Sequence, residues 1–328
     1  MGAYAPGFSK GSLSPLYFHL TGCVHMADMV SMSSKPTSGH RPKRKSLLPW
    51  LFVLPALLLI GFVIAVPTIG TFYLSLTNWD GIRPPEFIGL KNFANLIQDV
   101  TFYKALGNNF MWLLLFCTIP VAFSLIVAVL LTRVRRGQMF YRVTFFLPYI
   151  CSTVVTAKIW SWIYNPFFGI NKVLEGWGFT NLPLWLGDPD KALFSVAFVD
   201  GWRYWGFLLI LFLTGFHQTD RSLEEAAMID GAGKFRIFRS VIIPQLRPTL
   251  LLIMMMTMIW SFAAFDYVYV MTGGGPGNAT ELIATYMYKE ALQNQAPGYA
   301  SSIALALALF SGIIIAAFGY LRKRGWEV

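Results

Sequence analysis

The sequence predicts an all-α integral membrane protein with six transmembrane helices. Three observations predict it: a composition too apolar for water, six separated apolar stretches of spanning length, and a lopsided distribution of Lys and Arg between alternate loops. Of the 328 residues, 55% are hydrophobic and 13% charged, where a soluble domain carries about 25% charge. Mean hydropathy is +0.55. A pI near 9.5 on such a chain does not call for nucleic acid, because Lys and Arg collect in the cytosolic loops of membrane proteins. Cys117 and Cys151 fall inside apolar stretches and Cys23 stands apart. No pair has metal-ligand spacing, and no disulfide framework follows.

A spanning helix needs about 20 mainly apolar residues. The stretches that qualify are 47–76, 110–131, 143–164, 192–216, 242–271 and 302–319. Pro67, Pro120, Pro148, Pro244 and Pro248 lie in or at the ends of these spans, which is tolerated in lipid when neighbours satisfy the freed backbone groups. Residues 1–46 are polar and end in a basic run, Arg41, Lys43, Arg44 and Lys45. They read as a disordered cytosolic tail, followed by a six-helix membrane domain over 47–319 and a short cytosolic tail over 320–328.

With the N-terminus in the cytosol, cytosolic segments hold 18 Lys/Arg and external ones 6, leaving Lys158 and Arg203 within spans. That asymmetry places both termini in the cytosol. The breaker Gly273-Gly274-Gly275-Pro276-Gly277 then ends the fifth span outside.

The loop over 220–241, between spans four and five, is too polar to insert and too patterned to be a linker. Ser222, with Glu225 three residues on, forms a capping-box signature, so a helix is expected to start there. Leu223, Ala226, Ala227 and Ile229 offer apolar surface, and Gly231 is a natural stop because glycine accepts the left-handed backbone at a helix end. A second amphipathic stretch leads to Pro244, with Lys234 and Arg236 reading as inner-face anchors. A helix, a Gly turn and a second helix at the cytosolic face suit docking in a partner's groove.

Glu225-Ala226-Ala227, three residues, Gly231, nine residues, then Val241-Ile242-Ile243-Pro244 resembles the EAA loop of ABC importer permeases. The family pattern ends Ile-x-Leu-Pro, so Val and Ile are a conservative departure. Phe87 to Phe93, Phe145 to Pro148, Asn165 to Gly169 and Asp266 to Gly277 look like further segments of the carbohydrate-uptake class, and the likeness extends over 47–324. The resemblance implies the type I importer permease fold in a bacterial or archaeal cytoplasmic membrane. It makes the loop a coupling helix, with Ser222, Glu224, Glu225, Ala226, Ala227, Asp230, Gly231 and Pro244 facing an ATPase subunit. It also implies a second permease, with a heterodimer favoured, two cytosolic ATPases, and an extracytoplasmic binding protein that delivers a small solute. The expected cargo is a sugar, with glycerol phosphate or a polyol as the alternative. A lone ion-coupled transporter would predict inverted repeats, and none is evident.

No ATP site of its own is expected. Gly231-Ala232-Gly233-Lys234-Phe235 has Phe where a phosphate-binding loop needs a hydroxyl, and Met228 where it needs its first Gly. No cofactor, metal or catalytic set is expected either, which makes the chain a translocation subunit and not an enzyme. Charges inside spans default to functional candidates: Lys158, Asp200, Arg203 and Asp266. Trp205 flanks Arg203 and Tyr267 adjoins Asp266, and aromatic faces with a few charged groups suit a solute pathway. The alternative is structural: Asp200 and Arg203, three apart on a helix, could pair with each other, and Lys158 could snorkel.

Overall fold

The computed structural model describes residues 48–134 and 136–321. The tail over 1–46 lies outside the described residues, as does the tail over 320–328 beyond Leu321. The chain divides into two compact units. The first, ending at Ala56, contributes the opening turns of α1 (Leu48–Ile60), and the second, from Leu57, holds everything else. A π-helical turn (Gly61–Ala65) leads into α2 (Val66–Ser75). A two-residue hairpin pairs β1 (Thr77–Asn78) with β2 (Glu86–Phe87), Thr77 opposite Phe87.

Then come α3 (Lys91–Gln98), α4 (Val100–Thr132), α5 (Gln138–Ile150), α6 (Thr153–Ile163), α7 (Ile170–Gly176) and α8 (Pro189–His217). The polar loop holds α9 (Arg221–Ile229) and α10 (Lys234–Ile237), followed by a π turn (Phe238–Ile242), α11 (Ile243–Gln245) and α12 (Arg247–Phe262). The chain closes with α13 (Asp266–Met271), α14 (Ile283–Tyr288), a π turn (Lys289–Gln293) and α15 (Pro297–Leu321).

Among the described residues, four helices are long and apolar enough to cross a membrane unbroken: Leu51–Ser75, Val100–Thr132, Pro189–His217 and Pro297–Leu321. Three of them begin earlier than the apolar stretches suggest, two of these for a local reason. Asp99 caps α4 by accepting from the Thr101 and Phe102 amides, and Asp188 caps α8 by accepting from the Asp190 amide, with Pro189 in the first turn. Both devices satisfy orphan donors of a first turn.

The third and fifth spans are not the continuous helices expected over 143–164 and 242–271. Span three bends by 91° between α5 and α6, because Cys151 and Ser152 adopt extended backbone, ψ 144° and 134°. Span five bends by 68° at Leu246 and stops at Phe262, and α13 is a separate short helix after Ala263, Ala264 and Phe265. Pro244 and Pro248 stand in the first turns of α11 and α12, where a missing N–H costs nothing. Pro248 therefore stands where the helix after the bend starts, and Pro244 lies near the end of the continuous helix before it.

The core centres on α4 and α8. Lipid tails are as apolar as Leu, so shape and close approach hold such helices together more than exclusion of water does. Trp112 stacks on Phe116 at 5.8 Å, Phe116 meets Tyr204 at 5.6 Å, and Leu208, Leu209 and Phe212 are fully buried. Gly206 lets α5 approach: a Cβ there would overlap the Phe145 carbonyl. Gly298 does the same for α15, where a Cβ would overlap the Thr77 carbonyl.

At the end of the bundle remote from the polar loop, side chains tie the spans together. Asn108 donates to the Ala279 and Glu281 carbonyls at 3.0 and 2.8 Å, and Lys104 donates to the Gly277 carbonyl at 2.7 Å. Buried Glu281 pairs with Lys289. Gly273, Gly274 and Gly277 take positive φ, as the breaker requires.

Candidate functional site

The polar loop is built as a rigid projection. The cap of α9 is Asp220, not Ser222: the Asp220 carboxylate accepts from the Ser222 amide at 2.9 Å. The expected Ser222–Glu225 capping box is therefore corrected. Asp220 stands two residues nearer the end of α8 and its short carboxylate side chain wraps back onto the first turn. Hydrogen bonds from Ser222 hold the Asp220 carboxyl below its ordinary 3.8. The Asp220 amide in turn donates to Gln245 Oε1 at 2.8 Å, which fixes the loop's start to α11.

At the other end of α9, the Ala232 amide donates to Ala227 and the Gly231 amide to Met228, at 2.9 and 3.1 Å. These are the paired bonds of a Schellman stop, with Gly231 at φ 78°. Gly233 then begins α10, accepting from the Ile237 amide. Ser222, Glu225, Ala226, Ile229 and Asp230 are exposed, whereas Glu224 and Ala227 are half-buried. Ile229 is 86% exposed, an apolar side chain left without cover at the tip of the projection. Pro244 is half-buried in the first turn of α11.

The intramembrane candidates divide. Asp200, Arg203, Asp266 and Tyr267 line one cavity of about 130 Å³ with Trp112, Thr153, Trp260 and the non-helical residues Ala263, Ala264 and Phe265. Asp200 and Arg203 come from α8, and Asp266 opens α13. The break after Phe262 makes the cavity by removing a turn of helix from its wall. Among the described residues, buried Trp112 has no acceptor for its Nε1–H. The structure does not bring Lys158 or Trp205 to this cavity. Lys158 is exposed on α6, and Trp205 packs edge-on against Phe123 at 4.8 Å in an apolar groove with Phe194 and Phe198. Asp200 and Arg203 are absent from the ion pairs within 4.0 Å among the described residues. Arg203 instead donates Nε–H to the Cys151 carbonyl at 3.4 Å and lies over the Tyr149 ring at 5.0 Å.

Trp112, Thr153 and Trp260 were not singled out by sequence. The available signal was two tryptophans deep inside spans, away from the interfaces where that residue usually sits.

Comparison with known proteins gives one consistent relationship. Residues 120–324 match the model of the binding-protein-dependent transport system inner membrane component. A probable ABC transporter permease protein of Bacillus subtilis is 37% identical over 273 residues, covering 82% of this chain and 93% of the relative. The diacetylchitobiose uptake system permease protein NgcF of Streptomyces coelicolor is 32% identical over 324 residues, covering 92% and 91%. The fold matches a chain of a bacterial alginate ABC transporter, solved in complex with a pentasaccharide-bound periplasmic protein, with TM-score 0.76 at 19% identity over 86% of this chain and 96% of that one. The membrane-spanning architecture, the projecting capped helix and these matches agree: the chain belongs to the binding-protein-dependent transport system inner membrane component family.

Proposed function

We propose that the chain is one membrane-spanning half of an ATP-driven importer for a neutral sugar or sugar-like solute. The observation that carries this reading is the exposed, doubly fixed helix Arg221–Ile229, which would dock in a cytosolic ATPase and pass its movement to the spans. Residues 47–319 form the permease, with 220–241 as the coupling loop and Ser222, Glu225, Ala226, Ile229 and Asp230 on the docking face. Eighteen cytosolic Lys/Arg against six external ones support cytosolic termini. ATP is hydrolysed on two separate subunits, and alternating access follows as their closure rocks the spans.

The cavity supports a second permease chain. At about 130 Å³ it is smaller than the ~300–1,000 Å³ of small-molecule sites, as a half-site completed by a partner would be. Its chemistry favours a polyhydroxy solute: two carboxylates to accept from hydroxyls, and tryptophan faces to stack. Glycerol phosphate is the poorer fit, because Arg203 is engaged by Cys151 and Tyr149 and the remaining charges are acidic. Relatives named for starch degradation products, diacetylchitobiose and trehalose/maltose point the same way, and the binding-protein dependence in the family's description supports delivery of the solute by a binding protein.

The test is a pull-down of the tagged chain from mild detergent, comparing wild type with Gly231→Asp and Glu225→Lys. Wild type is expected to bring down an ATPase and a second permease, and the variants to lose the ATPase. A wild-type chain that purifies alone and moves solute without ATP would overturn the reading in favour of a secondary transporter.

A further inference from the structure

The side of the polar loop that faces the bundle carries a second feature, which docking of an ATPase does not use. A groove of about 750 Å³ runs between the last turns of α4 and the α9–α10 segment. Ile126, Val129 and Leu130 of α4 face Phe235, Phe238 and Ile242 across it. These walls are open: Ile126 is 59% exposed, Leu130 57% and Phe235 75%.

Two cations stand on the lining, Arg133 at the C-cap of α4 and Lys234 at the start of α10. Neither side chain makes an ion pair among the described residues. Glu224 lines the same groove and pairs with neither, so the three side chains leave one net positive charge on it. Arg133 follows a 33-residue helix, about 50 Å long at 1.5 Å per residue, against a hydrocarbon core of about 30 Å. The apolar stretch of this helix ends at Leu131, so Arg133 stands just past it, where a span of about 20 residues gives way to headgroups.

We infer that this groove holds an anionic glycerophospholipid of the cytosolic leaflet, its phosphate between Arg133 and Lys234 and an acyl chain along Ile126, Val129 and Phe235. The inference rests on the orientation given under Proposed function for the leaflet, but not for the binding itself. Charge selects the occupant. An anionic lipid neutralises the net positive charge, whereas a zwitterionic one leaves it in place, and basic pockets between helices on the cytosolic side favour acidic headgroups. The helix presents two faces: Glu224 and Met228 line the groove, while Glu225, Ala226 and Ile229 are exposed for a protein partner.

The experiment is native mass spectrometry of the full chain from mild detergent, offered phosphatidylglycerol, phosphatidylethanolamine and phosphatidylcholine in equal amounts. Wild type should retain phosphatidylglycerol selectively. Arg133→Gln with Lys234→Gln should reduce that selectivity roughly thirtyfold, the size expected of two cations beside a membrane. Arg133→Lys with Lys234→Arg keeps both charges and should restore it, which separates charge from damage to the fold. Val129→Trp should lower retention of all three lipids by filling the groove. Equal retention of the three lipids by wild type, or unchanged selectivity in the double Gln variant, overturns the inference. So does a photo-crosslinker at Phe235 that captures a second permease or an ATPase peptide in the assembled complex. An intact ATPase pull-down beside lost lipid selectivity would show that the two readings stand or fall separately.

Discussion

Arg203 of α8 donates its Nε–H to the main-chain carbonyl of Cys151, at the break between α5 and α6, over a distance of 3.4 Å. The extended Cys151 and Ser152 take that carbonyl out of the helical ladder, and an unsatisfied backbone group at membrane depth costs several kcal/mol. A charge inside a span is thus matched to an irregular piece of backbone on its neighbour, and Arg203 borders the cavity that also holds Asp200, Asp266 and Thr153, the first helical residue after the break.

Arg203→Met should therefore destabilise the chain. A hydrogen bond to a charged donor contributes about 1.5–3 kcal/mol and the contact with Tyr149 about 0.5–2, with the long distance favouring the lower end of the first range. The thermal midpoint of the detergent-solubilised protein should fall. Arg203→Lys should recover only part of the loss, since an ammonium lacks the planar guanidinium that bonds and stacks together. A midpoint unmoved by Arg203→Met would show that the bend does not depend on this side chain.

Asp266 is the exposed first residue of α13, where the helix dipole favours a negative charge. Asp266→Asn keeps the shape and removes the charge. Loss of one charge-assisted bond to solute predicts a roughly tenfold higher half-saturation for uptake in vesicles supplied with binding protein, with assembly unchanged. If uptake keeps its half-saturation while the thermal midpoint drops, Asp266 serves its helix and not the solute.

Gly231 sits at φ 78° with no atom within 4 Å of where a Cβ would be, so any penalty for replacing it is backbone strain alone. Left-handed backbone costs a residue with a Cβ about 1–2 kcal/mol, less for Asn and more for a β-branched side chain. Coupling, measured as solute moved per ATP hydrolysed in the reconstituted complex, should fall in the order Gly, Asn, Ala, Val at this position. Equal coupling in Gly231→Asn and Gly231→Val would remove the Schellman stop from the mechanism.

Much of this was legible in the sequence, and the parts that were not share a cause. Six apolar stretches are sums over many residues, so they survive local errors. Gly231 was legible because only one residue type is at ease in its conformation. The breaks at Cys151–Ser152 and after Phe262 were not, because those residues are as apolar and as helix-compatible as their neighbours. Only tertiary partners, Arg203 above all, make the extended backbone affordable. The same blindness placed Lys158 and Trp205 beside Arg203 and Asp266. Depth along a span can be counted from sequence, but the face a residue takes after a 91° bend cannot. The Ser222–Glu225 spacing satisfies the capping-box rule, yet the carboxylate of Asp220, two residues earlier, caps the helix.

Asp99 offers a test at the opposite end of the bundle. One carboxylate oxygen accepts from the Thr101 and Phe102 amides at 2.8 and 3.2 Å. The other accepts from the hydroxyls of Tyr286 and, at 2.6 Å, Tyr299. Partial burial pushes this carboxyl up, but the four hydrogen bonds outweigh it and hold the group below its ordinary 3.8. A carboxyl depressed in the folded state contributes stability that is fully present above its unfolded value, and loses it as pH falls through the folded one. The thermal midpoint should therefore be flat near pH 6 and decline only below about pH 4. Tyr286→Phe with Tyr299→Phe removes two of the bonds and leaves the burial, so the carboxyl moves back up toward its unfolded value: the midpoint near pH 6 should fall and this part of the acid decline should shrink. Asp99→Asn, which keeps the cap but cannot titrate, should lose this part of the decline altogether. If wild type, the double Phe variant and Asp99→Asn share one acid profile, Asp99 is not the group that ties α4 to α14 and α15 through its charge.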